Sequence, residues 1–118
     1  MADFGLMLGF GLPVRGREQQ TAKVFWEAVE LWNRLQEYGT IQSWDAVFLE
    51  PHGGDLGGFF LLWGDREGIA RVRSSDEFRR LSTRAQLVVE NFGVVGAERG
   101  AQIEAQMNRF LESSGELS

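Results

Sequence analysis

The chain has 118 residues, 43% apolar and 25% charged, with a net charge of −5. That size and balance suit one domain with one core and exclude a disordered or fibrous chain. Net acidity argues against nucleic acid or an anionic membrane as the main partner. No apolar run approaches the ~18 residues of a membrane span. Met1-Ala2-Asp3-Phe4 lacks the basic start of a signal peptide, so a cytoplasmic protein is expected. There is no cysteine, and His52 is the single histidine. Disulfides, thiolate chemistry and multi-histidine metal sites are therefore excluded, and no metal or cofactor is expected.

The first element is a strand from about Phe4 to Leu12. Phe4, Leu6, Leu8, Phe10 and Leu12 share one parity, while Gly5, Met7, Gly9 and Gly11 share the other. Side chains alternate faces in a strand, so one face is apolar and the other nearly bare. A bare glycine face invites close approach. A helix packed over it is the expectation, and a ligand-sized space there is the alternative.

Pro13 ends the strand. A helix follows over roughly Glu18 to Tyr38, with Gly39 as its left-handed stop. Val24, Ala28, Leu31, Leu35 and Tyr38 recur at helical spacing, and Phe25, Val29 and Trp32 widen the stripe that covers the sheet. Trp26 falls among polar positions and marks a contact outside the core.

Two strands come next, at about Ile41 to Leu49 and 57–64, joined by the turn Pro51-His52-Gly53-Gly54-Asp55. Phe59-Phe60-Leu61-Leu62-Trp63 is a run of five large apolar residues, as in a strand buried on both faces. Helices can cover one face. In so small a chain the second cover is expected to be another copy of the protein. Asp65 opens a short helical turn through Val72. Ser74 and Glu77 stand at capping-box spacing before a helix to about Val89. A fourth strand spans Asn91 to Gly96, and a last helix runs from Ala101 to Glu112. The expected organisation is one domain over 1–112 and a frayed tail over 113–118.

This order is β-α-β-β-α-β with an extra C-terminal helix. It predicts an α+β, ferredoxin-like fold with a four-stranded antiparallel sheet. The arrangement resembles the dimeric α+β barrel superfamily, which includes antibiotic-biosynthesis monooxygenase-like, haem-degrading and stress-responsive barrel proteins. Phe60-Leu61-Leu62-Trp63-Gly64-Asp65 followed by Ser75-Asp76-Glu77-Phe78 is similar to that family's strand 3 tryptophan, short helix and Ser-x-x-Phe helix entry. The resemblance implies a homodimer joined through open sheet faces. Its haem-degrading members use a strand 1 asparagine, the strand 3 tryptophan and a histidine before the Ser-x-x-Phe serine. Trp63 matches, Val72 stands at the histidine position and strand 1 has no asparagine, so haem is not expected to bind.

Few residues carry chemistry. His52, near Asp55, is the one candidate general base, and an exposed turn residue is its plainer reading. The glycine run 53–58 precedes a strand and has no phosphate-loop lysine or serine. Arg66, Arg71, Arg73, Arg79, Arg80 and Arg84 form a basic stretch interleaved with acids, read as a solvated helix face. One of them turned toward a pocket would hold a carboxylate or phenolate. If a pocket for a small apolar ligand exists, Trp63, Leu61 and Trp44 from the hairpin and Phe25 from the first helix are its expected walls. The expected role is a small-ligand-binding or interaction domain without an assignable activity. The resemblance supplies the alternative, a cofactor-independent monooxygenase-like enzyme acting on an apolar aromatic substrate.

Overall fold

The computed structural model describes residues 2–118. Strand β1 (Phe4–Phe10) lies inside the sheet, and its alternation divides the molecule in two. It pairs antiparallel with β3 (Gly58–Gly64) on one side and with β4 (Gly93–Glu98) on the other. Strand β2 (Ser43–Phe48) pairs antiparallel with β3, giving the order β2-β3-β1-β4.

Leu6 and Leu8 of β1 and Phe60 and Leu62 of β3 point to one face, where the helices lie. Helix α1 (Glu18–Glu37) meets them with Val24, Ala28, Leu31 and Trp32. Helices α2 (Arg66–Ser74) and α3 (Asp76–Val88) add Ile69, Val72, Phe78 and Leu81. Trp32 has no solvent exposure and fills the centre of this layer. Two exposed ion pairs, Arg34–Glu77 at 2.6 Å and Arg84–Glu27 at 2.8 Å, align α1 with α3. The Glu77 hydrogen bond raises the Arg34 pKa above its ordinary value.

The opposite face carries Met7, Val47, Phe59, Leu61, Trp63 and Val95, and none of them joins the core cluster. The helix expected over the glycine parity of β1 is on the other side. Helices cover the parity with the large side chains, because that is where apolar area can be buried. The glycines instead admit side chains of the same face. A Cβ on Gly5 would stand 2.7 Å from the Leu62 carbonyl oxygen and 2.8 Å from the Trp63 ring. Arg99 closes over the outer side of that ring, its guanidinium 4.2 Å from the centroid.

Helix and strand ends follow local chemistry. Gly39 takes φ 78° and its N–H bonds to the Gln36 carbonyl, stopping α1 where the sequence places the stop. The α3 cap is Ser75, one residue later than expected. Helix α2, capped by Asp65, runs on through Ser74, and the Ser75 hydroxyl then accepts the Phe78 N–H at 3.2 Å. β4 starts later than expected because Asn91 turns the chain at φ 55°.

Helix α4 (Ala101–Leu117) includes most of the tail expected to fray. Propagation is cheap once begun, so the preceding turns carry the helix through Ser113 and Ser114. No α4 residue is buried, and Ile103, Met107, Phe110 and Leu111 are at least half exposed. The radius of gyration, 16.4 Å, exceeds the roughly 13 to 14 Å of a compact chain this long, because this helix projects from the body. No described helix is long and apolar enough to cross a membrane.

Candidate functional site

At one end of the helix-covered face the chain leaves a cavity of about 710 Å³. Its base forms where the segment after β1 runs alongside the end of α3. Gly11 N–H donates to the Glu90 carbonyl at 2.7 Å, Glu90 N–H to the Leu12 carbonyl at 2.9 Å and Val14 N–H to the Val88 carbonyl at 2.8 Å. Gly11 is needed there, since a Cβ would meet the Glu90 carbonyl oxygen at 2.8 Å and the Asp55 carbonyl oxygen at 2.9 Å. The Thr21 hydroxyl, near the start of α1, ties that helix to the Val88 carbonyl at 2.9 Å. The loop from Leu49 to Gly57 forms the remaining wall.

The interior is apolar and aromatic. Phe10, Phe25 and Phe48 line it and form one connected ring cluster with Phe60, which is no part of the lining; Phe25 lies 5.0 Å from Phe60 and 5.5 Å from Phe48. Trp26 stands edge-on to Phe25 at 5.3 Å and is 61% exposed, while Phe48 is 72% exposed. With Leu12 and Leu49 they make an exposed apolar rim around an apolar hollow. A cavity of this size and lining accommodates a small organic molecule.

The loop wall is held by His52. Its Nδ1 accepts the Gly54 N–H at 3.2 Å, so Nε2 carries the proton and donates to the Leu56 carbonyl at 2.7 Å. Both ring nitrogens are thus used within the loop. In this arrangement the imidazole shapes the wall. Among the described residues no three potential metal-binding side chains converge.

No family model matches the chain. No curated protein matches it either. Solved structures do match. A DABB family protein with a ferredoxin-like fold from Mesorhizobium loti superposes with a TM-score of 0.66 at 11% identity, over 85% of this chain and 99% of that one. A dimeric ferredoxin-like protein of unknown function from Jannaschia gives 0.63 at 13% identity, over 81% and 99%. A dimeric ferredoxin-like protein of unknown function from Bacteroides fragilis gives 0.59 at 11%, over 81% and 95%. The fold is ferredoxin-like. At these identities the likeness speaks for the fold alone, as the element order of the sequence implies.

Within this ferredoxin-like frame the four expected pocket residues divide. Phe25 lines the cavity. Trp44 shares the helix-covered face but lies outside the cavity, packed toward Phe60 with its indole N–H on Asn33 Oδ1 at 3.3 Å. Leu61 and Trp63 occupy the opposite face. The register explains the split. Trp44 pairs with Leu62, so it shares that residue's face, and residues 61 and 63 have the other parity. The sheet stands between the two pairs, and no single pocket contains all four. Trp26, which the polar spacing placed outside the core, is the tryptophan at the cavity. Apolar Trp26, Phe48 and Leu49 at exposed positions are the signal that marks the rim, but only the folded loop shows that they converge. Val72 is buried in the core, and the basic stretch lies outside the cavity.

Proposed function

We propose that this protein is a homodimeric α+β barrel subunit that binds a small, flat, apolar molecule in the cavity beneath the Leu49–Gly57 loop. One observation carries the binding reading: a connected aromatic wall opens to solvent through Trp26 and Phe48, large apolar side chains that a protein without a ligand gains nothing by exposing. The dimer reading is supported by the open sheet face with Met7, Phe59 and Leu61, and by the dimeric description of the Jannaschia and Bacteroides fragilis structures.

Trp26 is the reporter for the test. Titration with 2-naphthylmethanol quenches tryptophan fluorescence saturably, with one site per protomer. Phe25→Ala weakens the binding, and Trp63→Ala on the opposite face leaves it unchanged. Quenching that never saturates, or that survives Trp26→Phe without a change in amplitude, overturns the cavity assignment. Light scattering gives about twice 13.3 kDa for the native protein. A stable monomer at micromolar concentration removes the dimer.

A further inference from the structure

The side chains at the cavity have a one-sided charge. Glu18, Glu50 and Asp55 line it, and no lysine or arginine does. All three residues are exposed, and none belongs to the ion pairs among the described residues, which join Arg34 to Glu77, Arg80 to Asp76 and Arg84 to Glu27. The nearest cation in sequence, Arg17, donates to the Leu87 carbonyl at 2.7 Å and is no part of the lining. The start of α1 contributes roughly half a positive charge of dipole, and Glu18 in its first turn offsets it. His52 uses both ring nitrogens inside the loop. Phe25, Trp26 and Phe48 line the same cavity as these three acids. Aromatic faces attract cations and repel anions, and Trp is the strongest of them.

We infer that the cavity selects an apolar cation, an aromatic or alkyl amine in its ammonium form, over its neutral and anionic counterparts. This rests on the cavity being a binding site, as proposed above. The aromatic wall receives the hydrophobic body and attracts the charge by its ring quadrupoles. The three carboxylates concentrate cations at the mouth and fix the orientation, with the charged end outward. An aromatic carboxylate or phenolate meets only like charge, with no arginine to receive it. The arginine-held anion envisaged from the sequence is therefore not what this cavity takes.

Three probes of one shape test it by calorimetry at pH 7: 2-naphthylmethylamine, 2-naphthylmethanol and 2-naphthoate. The amine binds about tenfold tighter than the alcohol, and the carboxylate binds weaker than both. Raising the salt shrinks the preference for the amine and leaves the alcohol unchanged. A triple variant, Glu18→Gln with Glu50→Gln and Asp55→Asn, brings the ratio of amine to alcohol affinity down toward one. All three substitutions are on exposed side chains, and circular dichroism verifies the fold. If the alcohol binds as tightly as the amine, or the carboxylate tighter than both, charge selection is overturned while the cavity remains a binding site. If none of the three binds, the cavity reading itself falls.

Discussion

Leu61 and Leu62 are neighbours in β3 with the same side chain, yet Leu62 is completely buried under the helices and Leu61 lies half-buried on the opposite face. The same division runs through the whole sheet. On the helix side Leu6, Leu8, Phe60 and Leu62 meet three helices whose stripes match them. On the other side Met7, Phe59, Leu61 and Val95 have no covering layer within the chain. Apolar area of that extent raises the free energy of an isolated chain in water, by about 25 cal/mol for each Å² left exposed. The glycines of β1 moderate it, letting Trp63 lie flat on Gly5 under Arg99. A finished face stabilises the subunit, and the unfinished one is the face through which the proposed dimer would close.

The largest expected effect separates the faces directly. Leu62→Ala opens a cavity in the close-packed layer and costs ~2–5 kcal/mol in urea unfolding. Leu61→Ala costs much less at low protein concentration. In the proposed dimer its penalty grows as concentration rises, because the second subunit would supply its partner atoms. Leu61→Asp puts a charge on that face and halves the mass measured by light scattering. Equal, concentration-independent costs at both leucines would erase the distinction between the faces.

A middle-sized effect sharpens the account of the bare face. Gly5→Ala presses a methyl group against the Leu62 carbonyl and the Trp63 ring, and costs ~1–3 kcal/mol. Gly93→Ala, on the same face with nothing within 4 Å of the added carbon, stays within ~0.5 kcal/mol. Thermal unfolding of the two variants side by side makes the comparison. If Gly5→Ala is harmless, Trp63 does not lie where the packing puts it.

The smallest effect concerns the loop. His52→Ala removes two exposed hydrogen bonds and costs under about 1 kcal/mol. The fold survives, while amide exchange over Gly53 to Leu56 accelerates. A loss of several kcal/mol would show that the loop is buried in the assembly. Unchanged exchange would show that the imidazole does not hold it.

Much of the architecture was legible in residue patterns. The alternation from Phe4 to Phe10, the α1 stripe, the Gly39 stop and the paired β2 and β3 segments each depend on neighbours close in the chain. Local chemistry of that kind is written in spacing. The C-terminal helix was legible only to Glu112, since Ser113 and Ser114 are poor helix formers and propagation from the preceding turns carries them. The candidate site was hardly legible. Phe25 is legible from its place on the α1 stripe, whereas Trp44 and Trp63 share one hairpin but not one face. Hairpin membership does not give the face.

The sequence by itself determined the order of elements, the single core, the absence of thiol and multi-histidine chemistry, and which parity of β1 carries bulk. Tertiary structure alone decided that Trp44 pairs with Leu62 and so lies across the sheet from Trp63. It also decided that Gly11 docks on Glu90 and that the 49–57 loop lines one cavity with Phe25 and Trp26. The physical reason is range. Periodicity and capping act within a few residues, whereas register and the convergence of loops are set by contacts between segments tens of residues apart, and a one-residue change of register would have turned every side chain of β2 to the other face.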